Sequence, residues 1–228
     1  MERTNAKKHV AIIEKCLMSE AGLRHLLSSP ATRKYHFHFF RDRQAFNDAM
    51  RKTAFFSVIY SLSGLRGLRR ECLMCLHMLS IAHPQIQRIV LAGDEREAGL
   101  VSRLYPAEMH GIVSKTDTLP ELLSQLVTLL GETRRVNDNI INHWHVSHNR
   151  MLSPTERAIL HHMTRGLSMP DIAIVLDRNV KTIRAHKFNA MIKLGLNSEV
   201  ALLHAADLLR WLPVAAMMKK KDAALAKR

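Results

Sequence analysis

Between His9 and Gly131, short β-rich runs alternate with helix-patterned runs five times, and this alternation restricts the possible fold more than any other feature of the chain. Strands separated by helices cannot pair as hairpins. They lie parallel, and a parallel sheet needs helices packed on both of its faces. The strands are read as His9–Glu14, Tyr35–Phe40, Phe55–Leu62, Arg88–Ala92 and His110–Ser114, with Phe55–Leu62 apolar enough to be central. The helices are read as Leu17–Ser28, Gln44–Lys52, Arg69–Ile81, Glu97–Leu104 and Leu119–Leu130. The expected N-terminal unit is an α/β domain over residues 1–131 with a five-stranded parallel sheet.

Residues 132–150 break this pattern. They are polar and rich in Asn and His, with Ile140, Ile141, Trp144 and Val146 among their few larger apolar side chains, and read as a linker. An all-α domain of four helices is then expected over residues 151–212, followed by a basic tail, 213–228, that carries Lys219, Lys220, Lys221, Lys227 and Arg228. Ser153, Pro154 and Glu156 supply a hydroxyl cap, a proline at the first helical position and a glutamate that can close a capping box, so a helix begins at Pro154. It stops near Gly166, which tolerates a left-handed cap. Ser168 caps a second, short helix with Ile172, Val175 and Leu176 on one face; Asp177, Arg178 and Asn179 end it, and Asn179 caps a third, Val180–Leu194.

Two helices joined by a short turn, the second bearing cations, form the geometry that sets one helix in the DNA major groove. On Val180–Leu194 the residues Val180, Ile183, Ala190, Met191 and Leu194 pack inward, while Lys181, Arg184, Ala185 and Phe188 lie across from them with Lys187 at the flank. Lys181, Arg184 and Lys187 are expected near base edges or phosphates, and Ser153, Ser168 and Thr182 near the DNA backbone. Lys193 faces differently, and its loss is expected to weaken binding to all sequences alike. The overall charge agrees. The formal net charge is +14, and residues 151–228 hold 13 Lys and Arg against 6 Asp and Glu, while residues 1–150, twice as long, hold 21 against 14. A polyanionic partner, double-stranded DNA, is therefore expected, and acidic substrates are not.

The ordered motifs Leu152–Arg157, Gly166–Ser168, Ile172–Ala173, Lys181–Ile183, His186–Lys187 and Lys193–Gly195 resemble the DNA-binding domain of LuxR-type (GerE) regulators over nearly all of 152–209. That resemblance implies a fourth helix, Ser198–Leu209, used for dimer contact, with Val200, Leu203 and Leu202 available for pairing.

The preceding α/β order resembles a response-regulator receiver, most clearly at Gly111–Lys115. Receiver chemistry needs an aspartate after the third strand, an acidic pair after the first to hold Mg²⁺, and a hydroxyl after the fourth. Here the corresponding positions carry Ser61, Glu14 with Lys15, and Ala92; only Lys115 is kept, and it is expected to form a salt bridge with Glu14. Ser61 without a base is a poor acceptor. The domain is thus expected to fold and pair without phosphorylation. The helix 119–130 has a wider leucine stripe than one sheet face needs, which makes Leu122 and Leu126 candidates for dimerisation.

Further segments, Arg178–Ile183, Ala190–Gly195, Val200–Leu203, Tyr35–Phe40 and Ser61–Arg66, resemble BglJ-like auxiliary regulators within the LuxR class. That resemblance implies a transcriptional activator acting as a heterodimer with an RcsB-type response regulator, with a homodimer as the other arrangement. Two rival functions remain open at this point: a partner-modulating protein with little DNA affinity of its own, and a phosphorelay output protein using Ser61 or Ser63 as acceptor. An enzyme is not expected, because no Gly-rich phosphate loop, paired catalytic carboxylates or nucleophile with a placed base is present. No cofactor is expected.

Three cysteines suit a reducing compartment, and the pair Cys72 and Cys75 in an apolar helical run reads as packing. His143, His145 and His148 alternate, but with no further donors to complete a shell no metal site is expected. No run reaches the roughly 18 apolar residues of a membrane span, and the start lacks the apolar core of a secretion signal, so a cytoplasmic protein, nucleoid-associated when bound to DNA, is expected.

Overall fold

The computed structural model describes residues 7–62, 64–104, 109–131 and 152–209. The expected linker 132–150, its histidines, the basic tail and Ser63 lie outside the described residues. The chain divides into two compact units, Met1–Val146 and Ser147–Arg228.

In the first unit the order is β1 (Lys8–Ile13), α1 (Leu17–Leu26), β2 (Tyr35–Phe40), α2 (Arg43–Met50), β3 (Ser57–Ser61), α3 (Arg66–Ala82), β4 (Gln87–Ala92), α4 (Glu95–Leu104), β5 (Gly111–Ser114) and α5 (Leu119–Gly131). All neighbours pair in parallel, in the order β2-β1-β3-β4-β5. The five-stranded parallel sheet is the one expected. Every residue of β3 and β4 is buried, as in strands covered on both faces. Val10, Ile12, Ile59, Ile89, Leu91 and Val113 form one core with Leu23 and Leu27 from the α1 side and Leu122, Leu126 and Leu130 of α5. The alternate residues Ala11, Ile13, Val58 and Tyr60 are buried on the opposite face.

The leucine stripe of α5 needs a correction. Leu122 and Leu126, expected to offer a pairing surface, are 5% and 0% exposed and belong to this core. A helix that closes the sheet at its β5 end buries a wide stripe because Leu129 also folds over Gly111, where an added Cβ would meet the leucine at 2.6 Å. The exposed leucine of α5 is Leu119, at the mouth of the helix.

The second unit contains α6 (Pro154–Thr164), α7 (Met169–Leu176), α8 (Val180–Leu194), α9 (Glu199–His204) and α10 (Ala206–Leu209). The expected capping box at Ser153 forms, and a second forms at the cap Ser168: Ser153 and Ser168 accept from the amides of Glu156 and Asp171, whose carboxylates accept from the cap amides in return. Gly166 and Gly195 adopt positive φ where α6 and α8 end, and Asp177 does so, at 51°, where α7 ends. Ile159, Ile172, Ala173 and Ile183 make the core, packed by Met163, Met169, Leu176 and Val180. Two expectations fail here. Val175 is half exposed, because the buried face of α7 runs through Met169, Ile172, Ala173 and Leu176. An eight-residue helix apolar almost all round leaves that phase undetermined in the sequence. The fourth helix is divided into α9 and α10, and Leu202, expected to be available for pairing, is buried. Val200 is exposed, and the side chain of Leu203 lies outside the described residues.

Candidate nucleic-acid interface

The reading surface is built by α8. Asn179 caps it by accepting from the amide of Lys181, and Ile183, Ala190, Met191 and Leu194 anchor it from below. Lys181, Thr182, Arg184, Ala185, Phe188, Asn189 and Ile192 are exposed. Lys181, Arg184, Ala185, Phe188 and Ile192 recur at three- and four-residue spacing, so they form one continuous stripe.

The helix has four cations outside its histidine, and the structure sorts them. Lys187 and Lys193 are engaged within the unit, the first with Glu199 and the second with both carboxylate oxygens of Glu156 at 2.9 Å. The side chains of Lys181 and Arg184 have no ion-pair partner among the described residues. This corrects two expectations. Lys187 is turned to Glu199, with its side chain only 15% exposed. Lys193 is a structural anchor: its partner Glu156 is buried and also closes the capping box of α6. Both pairs are long-range in sequence, so no local pattern could have revealed them.

Ser153 and Ser168 sit at the starts of α6 and α7, with their hydroxyls engaged as caps. Ser168→Ala should therefore destabilise the second unit by about 1 kcal/mol, measurable as a lowered thermal midpoint, because the amide of Asp171 loses its acceptor.

In the first unit, the sheet order reverses at β1 and β3, and the chain ends of these strands and of β5 converge at the switch point where doubly wound sheets place their sites. Glu14, Ser61 and Lys115 meet there. The Ser61 hydroxyl donates to Glu14 Oε2 at 2.5 Å, Lys115 Nζ donates to the same oxygen at 2.8 Å, and the amide of Cys16 donates to Oε1 at 2.8 Å. Lys15 is drawn aside by Glu71 at 3.1 Å. Ala92 is fully buried, and its carbonyl accepts from the Lys115 amide. The expected salt bridge between Lys115 and Glu14 is present. The expectation that Ser61 lacks a base is corrected: its hydroxyl lies on a carboxylate, but one already held by a lysine and an amide.

A receiver's Mg²⁺ does not fit these residues. The one acid at the position, Glu14, is 5% exposed with both oxygens bonded, and a lysine stands where the second acid would be. Among the described residues no group of three or more His, Cys, Asp or Glu is arranged to hold a metal ion, and no helix is long and apolar enough to cross a membrane. Cys72 and Cys75 are buried in α3, and burial pushes the Cys72 thiol up to about 11, so this pair is inert packing at neutral pH.

A receiver-like α/β fold followed by a helical unit that presents a cationic helix defines a DNA-binding transcription regulator. Residues 150–206 match the bacterial regulatory proteins, luxR family. The chain is 45% identical over 210 residues to the transcriptional activator protein BglJ of Escherichia coli strain K12, covering 92% of this chain and 93% of that protein. It belongs to the luxR family of bacterial regulatory proteins. A more distant relative, the transcriptional regulatory protein RcsB of Escherichia coli, is 28% identical over 126 residues, which span 53% of this chain and 58% of RcsB. In fold, the chain is similar to RcsB in its complex with DNA, with a TM-score of 0.63 and 24% identity over 90% of this chain and 99% of that one.

Proposed function

We propose that this chain is a transcriptional activator that binds double-stranded DNA as a heterodimer with an RcsB-type response regulator, in the cytoplasm and on the nucleoid, and that its own receiver-like unit works without phosphorylation. The observation that carries the DNA reading is the division of cations on α8: Lys187 and Lys193 are tied down within the unit, and Lys181 and Arg184 are left on the exposed stripe. Thr182, Ala185 and Phe188 complete the contact set, and Ser153 and Ser168 mark the two helix starts that face phosphates. Val200, exposed on α9, is the pairing residue retained from the sequence reading. The likeness to the activator BglJ along almost the whole chain supports activation and, through the resemblance to BglJ-like regulators, an RcsB-type partner. We divide the chain into a receiver-like domain to residue 131, a linker over 132–150, a DNA-binding domain over 151–212 and a basic tail. No catalytic role is proposed.

Independence from phosphate rests on the Glu14, Ser61 and Lys115 network, which fills the position where a phosphoryl group and its metal would sit. Incubation with acetyl phosphate and Mg²⁺ is expected to leave the intact mass unchanged. A stoichiometric phosphoryl group on Ser61 would sink this part of the proposal. For the partner, mobility shifts with this chain, with RcsB and with their mixture are expected to show a complex of higher affinity in the mixture; no gain over the separate proteins would remove the heterodimer.

A further inference from the structure

The exposed face of α8 is largely apolar at its centre. At about 100° per residue, Lys181, Ala185, Phe188 and Ile192 fall within a narrow arc, with Arg184 at one edge and Thr182 and Asn189 at the other. Phe188 is 64% exposed and Ile192 60%, while Ile183, Met191 and Leu194 on the same helix are buried. The Phe188 ring is not covered from the side, because it borders an open hollow of about 510 Å³ shared with Met169, Met191, Arg184 and Asn197. The centre of the arc enters a major groove most deeply, and there the apolar group that distinguishes one base pair from the rest is the thymine C5 methyl.

We propose that Ala185 and Phe188 read thymine methyl groups, so that the half-site bound by this chain carries thymine beside the base contacted by Arg184. This rests on the DNA-reading function proposed above and names the chemistry it selects. Ile192, one turn further along the stripe, extends the same surface. A Phe contact of this kind gives no hydrogen bond to misalign, and it rejects cytosine at the same position by presenting no acceptor to its amino group.

The test uses the full chain, alone and mixed with RcsB, to select from a random-sequence duplex pool. The selected duplex is then rebuilt with deoxyuridine replacing thymine one position at a time, which removes only the methyl. One or two positions should lose about fourfold to tenfold in affinity, the worth of one buried methyl. At one of those positions Phe188→Ala should bind the thymine and uracil forms equally, with its thermal midpoint unchanged, as suits an exposed side chain; Phe188→Leu should keep part of the discrimination there. Affinities within about twofold for uracil at every position, or a uracil penalty that persists at every sensitive position in Phe188→Ala, would overturn the methyl reading and leave DNA binding standing. Failure to enrich any sequence in either condition would overturn both.

Discussion

Arg184→Ala is expected to cost about 1–3 kcal/mol of binding free energy on a selected duplex and to relax preference at a single base pair. Arg184 is exposed on α8 and has no ion-pair partner among the described residues, so its fork of donors is available to the N7 and O6 of a guanine. Lys181 provides the contrast. It lies at the start of the same stripe, where a point charge beside the groove meets phosphate, and Lys181→Ala should weaken all sequences alike while reducing the salt slope by about 1. Titrations of both variants against the selected duplex and its single-base-pair changes, at several salt concentrations, separate the two roles. Undiminished affinity of Arg184→Ala for the selected site would exclude the base contact.

What could be read from the sequence follows the range of the interactions involved. The caps of α6 and α7 are set by residues three positions apart, and Ser153 with Glu156 or Ser168 with Asp171 announce themselves without a tertiary partner. The same holds for the inward face of α8, where Ile183, Ala190, Met191 and Leu194 are buried as their spacing requires. The parallel sheet was legible because β-rich and helical runs alternate without a hairpin signal.

The misreadings come from contacts that link distant parts of the chain. Whether a leucine of α5 is core or surface depends on which residues of β4, β5 and α1 lie under it, so the stripe alone could not separate Leu122 and Leu126 from Leu119. The charge of a lysine on α8 is visible in the sequence, but its destination is not. Lys187 and Lys193 find their acids at Glu199 and Glu156, 12 and 37 residues away. From the sequence Ser61 reads as lacking a base because its acceptor, Glu14, is 47 residues earlier. The correction changes the character of the receiver site from one missing its chemistry to one closed on itself. A carboxylate bonded to a lysine, a serine and an amide is satisfied without metal or phosphate.

Lys193→Met is expected to destabilise the second unit by about 3 kcal/mol, the scale for a buried carboxylate that loses its cation. Glu156 is 3% exposed, and its oxygens serve both Lys193 and the amide of Ser153. Burial by itself raises its pKa; the hydrogen bonds and charge of Lys193, together with the bond from the Ser153 amide, outweigh burial and hold it below the ordinary carboxylate value. In the native chain this group therefore contributes stability above the unfolded carboxylate pKa and loses it as pH falls through the lowered folded value. In Lys193→Met burial dominates, the carboxyl prefers to be neutral, and the sign reverses. The variant should be weakest at neutral pH and should recover part of its loss on mild acidification, while the native chain only weakens. Urea unfolding of the full chain, followed by circular dichroism at neutral and mildly acidic pH, measures both trends. Adding Glu156→Gln to Lys193→Met keeps an acceptor for the cap amide and removes the uncompensated charge, so the double variant should regain most of the stability. Equal stability of Lys193→Met and native chain would exclude this anchoring role. An intact fold with uniformly weakened DNA binding would restore Lys193 to the phosphate contact that its charge first suggests.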